Sequence, residues 1–201
     1  MKYPYSRPHI DSADISEVVQ VLQRQFLTQG PVVLELEKKL SRVLGAKYAI
    51  ACNSGTAALH MAYAGLGVGP AAGVIVPAIT FLATANAACM CGAPVGFADV
   101  DPETGNVTPQ TIKAAVERVD FPVGAIAIVH LGGRACDVSA IKVYADSIGA
   151  KLVEDACHAP LSQYTDDTGS LFSVGACEHS EAATFSFHAI KHILQVKVGL
   201  C

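Results

Sequence analysis

The sequence predicts an α/β fold: a three-layer α/β/α domain on a largely parallel sheet. Two observations carry this expectation. Short, near-continuous apolar runs, as at residues 125–129 and 151–154, read as strands buried on both faces. Segments with helical spacing separate them, the alternation that βαβ units produce. At 201 residues, with 51% hydrophobic and 16% charged, the chain suits one buried domain or a large part of a bigger one.

The elements follow in order. Residues 11–27 read as a helix that Asp11 or Ser12 caps, with Ile15, Val18, Val19, Leu22 and Phe26 at helical spacing. Leu27-Thr28-Gln29-Gly30-Pro31 breaks it, and a second amphipathic helix with Val33, Leu36, Leu40 and Leu44 on one face stops at Gly45. Next come a strand at 47–52, a helix at 56–64, a strand at 73–76 and a helix at 81–90. A short strand at 94–98 precedes a helix at 108–119 that Pro109 begins well. A strand at 125–129, a helix at 138–148 and strands at 151–154 and 182–187 complete the reading, with 164–181 a turn-rich excursion.

Composition excludes several classes. A net charge of -4 without a basic run leaves no footprint for nucleic acid. The apolar runs are too short and interrupted to span a membrane, and residues 1–5 lack a signal-peptide core. The seven cysteines therefore read as reduced thiols of a cytoplasmic chain. Cys89 and Cys91 have no second pair at zinc-ligand spacing, so no metal is expected. Gly65-Leu-Gly67-Val-Gly69 ends a helix before a strand, the reverse of a dinucleotide loop.

The chemistry-bearing residues lie at strand ends. Lys191 follows the apolar strand 182–187, where partial desolvation would favour a neutral amine able to form a Schiff base. Asp155 ends another strand, where ligands of open α/β sheets gather, and would suit a protonated pyridine nitrogen or simply cap the next turn. Asn53-Ser54-Gly55-Thr56-Ala57 is a strand-to-helix turn that could hold a phosphate or serve as an ordinary cap. His158, one turn beyond Asp155, would lie over a cofactor, orient the carboxylate or sit satisfied in the core. Phe81, at an expected helix start, would stack on a planar ring or pack in the core. Glu154 should face away from Asp155 and be structural. Lysine, carboxylate and phosphate cup together are what pyridoxal 5'-phosphate (PLP) requires.

In order along the chain, Leu27-Thr-Gln-Gly-Pro31, Asn53-Ser-Gly-Thr-Ala-Ala-Leu-His60, Pro77-Ala-Ile-Thr-Phe-Leu-Ala-Thr-Ala-Asn86, His130-Leu-Gly-Gly-Arg134, Glu154-Asp-Ala-Cys-His-Ala159 and Phe185-Ser-Phe-His-Ala-Ile-Lys-His192 resemble the DegT/DnrJ/EryC1/StrS family of PLP-dependent sugar aminotransferases. The resemblance implies the large domain of the aspartate-aminotransferase superfamily (PLP fold type I). It makes Lys191 the Schiff-base lysine, Asp155 the partner of the pyridine nitrogen, His158 a neighbour of the ring and Phe81 its stacking aromatic. Thr56 and Ala57 would bind phosphate through their amides, with Ser54, Gly55 and the Ser186 hydroxyl around it. Tyr5, Gln25 and Thr28 match the region that receives a nucleotide sugar. Leu27-Thr-Gln-Gly30, Ala156-Cys-His158 and Lys191-His192 are most similar to the branch serving pseudaminic acid, which aminates C4 of a UDP-linked 4-keto-6-deoxy-N-acetyl sugar. L-glutamate as donor, a homodimer and a part in surface-polysaccharide synthesis are implied with it. Related dehydratases carry histidine in place of the lysine, so Lys191 implies transamination.

The resemblance divides the chain into a helical, substrate-side segment at 1–30, a partial PLP-binding domain at 31–192 and a departing tail at 193–201. The family continues past His192 into further strands and a C-terminal domain, so the tail reads as a shifted frame or cut gene, and an uncovered sheet edge prone to aggregation is expected. The alternative expectation is a non-catalytic fragment that at most binds PLP. Glu181 stands where the family has aspartate.

Overall fold

In the computed structural model, residues 9–24, 26–28, 30–191 and 199–200 are described. Helix α1 (Ser12–Leu22) and α2 (Pro31–Leu44) lead to β1 (Ala51–Cys52), α3 (Gly55–Gly65) and β2 (Gly73–Pro77). They are followed by α4 (Ala83–Met90), β3 (Val95–Ala98), α5 (Pro109–Val116), β4 (Val123–Val129) and α6 (Val138–Ser147). Strands β5 (Lys151–Asp155), β6 (Gln163–Thr165), β7 (Leu171–Ser173), β8 (Ala182–Ser186) and β9 (Gly199–Leu200) complete the order.

Seven strands form one sheet in the order β1-β9-β8-β5-β4-β2-β3. The pairs β3–β2, β2–β4, β4–β5 and β5–β8 are parallel, and only β9 runs antiparallel to its neighbours. Side-chain parity then assigns the two faces. Ile75, Ile126, Ile128 and Leu152 point into one core with Ile112 of α5 and Ile141 of α6. Val74, Val76, Ala125, Ala127 and Val153 point into the other, against Leu59 and Tyr63 of α3 and Ala87 and Ala88 of α4. Large residues thus fill the α5/α6 side. On the other side, small strand residues meet a helix of alanines. This is the expected three-layer, mostly parallel fold.

Glu154 obeys the same parity. It lies on the α5/α6 side, fully buried, with His130 Nε2 2.9 Å from its Oε2. His130 Nδ1 accepts from the Cys136 amide at 3.0 Å, so Nε2 carries the ring proton and donates to Glu154. The Ser180 hydroxyl donates to the other carboxylate oxygen. This network ties the end of β5 to the β4–α6 loop.

Several boundaries differ from expectation. Helix α1 stops at Leu22, its last turn tightened by an Arg24 amide bond to the Val21 carbonyl, so Phe26 lies outside it. None of its residues is buried, and the stripe of Ile15, Val18, Val19 and Leu22 faces outward. Asp11 caps it through a capping box with Asp14. Only Ala51 and Cys52 of the expected strand 47–52 join the sheet, because β9 offers two partners and Glu37 Oε1 accepts the Ala51 amide at 2.8 Å. Helix α5 ends earlier than expected, at Val116, while Pro109 begins it as expected, with Thr108 as its N-cap. The turn-rich excursion contains the hairpin β6–β7, whose Tyr164 and Phe172 cluster with His179. The tail read as a departure supplies β9, which pairs with β8 where an open edge was expected. Residues 192–198 and 201 lie outside the described residues. No helix among the described residues is long and apolar enough to cross a membrane.

Replacing Glu154 by Gln keeps both contacts, since an amide oxygen still accepts from His130 and its nitrogen donates to Ser180. Glu154→Leu strands both donors in the core. The leucine variant is expected to lose about 2–4 kcal/mol in urea unfolding and the glutamine variant under about 1 kcal/mol.

Candidate active site

At the carboxyl ends of β4, β5 and β8 the chain leaves a cavity of about 610 Å³. Asp155 closes its floor. As the last residue of β5 it follows the parity of Val153, so its side chain emerges on the α3/α4 side, 4% exposed. Its Oδ2 accepts from the Thr84 hydroxyl at 2.7 Å, and its Oδ1 from the Cys157 amide at 3.2 Å. No lysine or arginine among the described residues forms an ion pair with it. A buried carboxylate with only neutral donors suits a cationic ligand atom such as a protonated pyridine nitrogen.

One wall is the start of α3. Ser54 is its N-cap, in extended conformation, and its Oγ accepts from the Ala57 amide at 3.2 Å. That bond removes Ala57 from the set of free amides, and Ala57 does not line the cavity. Ser54, Gly55 and Thr56 do. The amides of Gly55 and Thr56 have no intrahelical acceptor and lie at the positive end of the helix dipole, a setting for phosphate. A Cβ on Gly55 would stand 3.0 Å from Ser186 Cβ and 3.3 Å from Cys157 Sγ, so glycine there lets α3 close onto β8. Ser186, the last residue of β8, adds its hydroxyl to the wall.

The rim brings the remaining candidates in. Lys191, half-buried, lines the cavity from the turn after β8, where its amide bonds the His188 carbonyl at 2.8 Å. His158 lines it as well, its Nδ1 accepting from the Gly132 amide at 3.5 Å. Phe81 does not begin a helix as expected. It lies two residues ahead of α4, 72% exposed, at the cavity mouth rather than in the core. Thr28 is exposed and not on the cavity wall, while Tyr5 and Gln25 lie outside the described residues.

Sequence reading missed three contributors. Thr84 holds Asp155, and its i,i+4 spacing from Thr80 at a helix start was the available signal. Leu131 lines the cavity, held by buried Asn106, which accepts from the Leu131 amide at 3.2 Å and donates to the Arg134 carbonyl at 2.9 Å. Nothing local in the sequence announces that brace across 25 positions.

The cysteines near the site are not reactive nucleophiles. Burial, with the hydrogen-bonded Asp155 carboxylate beside it, pushes the Cys157 thiol far up, so it stays S–H at neutral pH. Burial, aided by Glu154, raises Cys136 to about 12. Burial and Asp155 likewise raise Tyr63, whose hydroxyl donates to the Thr84 carbonyl at 3.0 Å. No cluster of His, Cys, Asp or Glu among the described residues could hold a metal ion. Since thiolate is the reacting form, iodoacetamide at pH 8 is expected to label exposed Cys89 well before Cys157 or Cys136, which should react only on unfolding; peptide mapping checks this.

The chain is 38% identical over 197 residues to the spore coat polysaccharide biosynthesis protein SpsC of Bacillus subtilis (strain 168), covering 98% of this chain and 48% of that protein. Among solved structures, Spr1654 of Streptococcus pneumoniae in its PLP form matches with a TM-score of 0.86 at 28% identity, over 98% of this chain and 52% of that one. PseC of Helicobacter pylori, an aminotransferase involved in the biosynthesis of pseudoaminic acid, matches with a TM-score of 0.85 at 28% identity, over 98% and 51%. The chain thus spans about half the length of these relatives. The fold is that of the PLP-dependent aminotransferases. The model of the DegT/DnrJ/EryC1/StrS aminotransferase family matches residues 8–201, and the chain belongs to that family.

Proposed function

We propose that this chain binds PLP and serves the transamination of a keto sugar in amino-sugar or polysaccharide biosynthesis. One observation carries the reading: Lys191, Asp155 and the phosphate-suited start of α3 line a single cavity. In this reading Asp155 pairs with the ring nitrogen, while the Gly55 and Thr56 amides and the Ser186 hydroxyl hold the phosphate, with Ser54 organising the turn. Phe81 covers a ring face and His158 stands beside the ring. The cofactor, when bound, supplies an electron sink for charge developing on the substrate carbon.

The protein's own chemistry is positioning and proton transfer. The Lys191 amine would take a proton from the donor's Cα and return it to the carbon two bonds away, across the intervening nitrogen, acting as base and then acid. The apolar lining, with Leu59, Val129 and Leu131, keeps water from the reacting carbon. The motif resemblance favours a UDP-linked 4-keto-6-deoxy-N-acetyl sugar aminated at C4, with L-glutamate as donor, Tyr5, Gln25 and Thr28 on the sugar side, and a cytoplasmic homodimer. The match to PseC, an aminotransferase involved in the biosynthesis of pseudoaminic acid, supports the sugar branch. Lysine rather than histidine at 191 favours transamination over dehydration.

Borohydride reduction of the chain mixed with PLP is expected to leave one pyridoxyl adduct, at Lys191, that Lys191→Ala abolishes. Peptide mapping that finds none would end the proposal. Loss of the PLP absorbance band on adding glutamate would establish the donor half-reaction, and its persistence would limit the chain to cofactor binding. Ser186→Ala removes one phosphate donor, and is expected to weaken PLP binding roughly 5–10-fold. Pyridoxal, which lacks the phosphate, should bind parent and variant alike in equilibrium dialysis.

A further inference from the structure

Behind Asp155 stands a polar feature in an otherwise alanine-rich helix. Thr84 is fully buried in the second position of α4, among Ala83, Ala85, Ala87 and Ala88. Its hydroxyl is directional. A carboxylate oxygen accepts only, so Thr84 Oγ1, 2.7 Å from Asp155 Oδ2, must donate to it. That leaves its lone pairs for Thr80, whose Oγ1 is 2.7 Å away and on the cavity wall. The hydrogen bonds therefore run one way, from Thr80 to Thr84 to Asp155. The Tyr63 hydroxyl fixes the Thr84 backbone through its carbonyl at 3.0 Å.

We propose that Thr84, supported by Thr80, is the positioning residue that fixes the Asp155 carboxylate toward the cofactor's ring nitrogen. It rests on the reading of Asp155 as that nitrogen's partner. The physical argument is economy of acceptors. The Cys157 amide takes one lone pair of Oδ1 and Thr84 one of Oδ2, and with the Cys157 thiol also hydrogen-bonded to the carboxylate these donors fix its plane and the direction left for a ligand. Without the Thr84 hydroxyl the carboxylate can rotate about its Cβ–Cγ bond, and a buried charge loses one of its neutral donors. Chained hydroxyls polarise one another, so Thr80 strengthens the donation that Thr84 makes. Thr80 makes this contribution from the cavity wall.

The test uses the purified chain, PLP in equilibrium dialysis, and the absorbance spectrum of the bound form. Thr84→Val, equal in shape and lacking the hydroxyl, is expected to weaken PLP binding roughly 10-fold. Its band should move in the same direction as that of Asp155→Asn, but less far. Thr84→Ser, which restores the hydroxyl, should recover both affinity and band, a rescue that packing alone would not give. Parent affinity and parent band in Thr84→Val, beside an altered Asp155→Asn, overturn the positioning role and leave the functional reading intact. An unaltered Asp155→Asn overturns both. Should Thr84→Val fail to fold, Thr80→Val takes its place: binding weakened several-fold upholds the inference, and parent affinity sinks it.

Discussion

The site depends on a buried negative charge placed at the end of a central parallel strand. Asp155 has β4 on one side and β8 on the other, and no lysine or arginine among the described residues forms an ion pair with it. A carboxylate in that setting costs several kcal/mol unless donors or a ligand charge surround it. The chain supplies a hydroxyl from α4, and an amide and a thiol from the turn after β5, all neutral. Neutral donors make the burial tolerable while leaving the charge unspent. An arginine there would stabilise the empty protein better and leave nothing for a ligand.

Strand parity turns this into an architecture. Consecutive carboxylates at 154 and 155 necessarily point to opposite faces, and the chain uses both. Glu154 is consumed internally by His130 and Ser180, which locks the end of β5 to the loop after β4. That same loop carries Leu131 into the cavity and Gly132 toward His158. One face therefore stiffens the strand end and the other presents the charge. The small side chains at Ala125, Ala127, Ala87 and Ala88 let the helical layer approach closely enough for Thr84 to reach Asp155. Packing and chemistry are the same constraint on this side of the sheet.

What was legible in the sequence follows from this division. Strands such as β4 and β5 announce themselves because burial on both faces demands unbroken apolar runs, and Glu154 and Asp155 separate by alternation alone. Lys191, Asp155, His158, Ser54, Gly55, Thr56, Ser186 and Phe81 all line the cavity, since motif residues cluster where strands end. Less was legible where partners are distant in the chain. The extent of β1 depends on Glu37 and on β9, neither visible from residues 47–52. Ala57 looked like a phosphate amide because the turn was readable, but which amide the Ser54 hydroxyl takes is a matter of rotamer. Asn106 acts through a hydrogen bond across 25 positions and local pattern carries no trace of it, while Thr84 acts across 71 and its only local sign is the i,i+4 spacing from Thr80.

Helix α1 shows the opposite case, strong local coding without local burial. Its capping box and helical spacing specify the helix, yet none of its apolar stripe is buried. The ends of β4, β5 and β8 are held instead by contacts between segments distant in the chain. A rigid cavity floor requires this second kind of specification, because caps and turns fix one segment while hydrogen bonds between distant segments fix several relative to each other. Asp155 is held from α4, from its own turn and by the ladders of two neighbouring strands. A group so constrained can meet a ligand charge with little reorganisation, which is the condition under which a buried ion pair contributes to binding instead of opposing it.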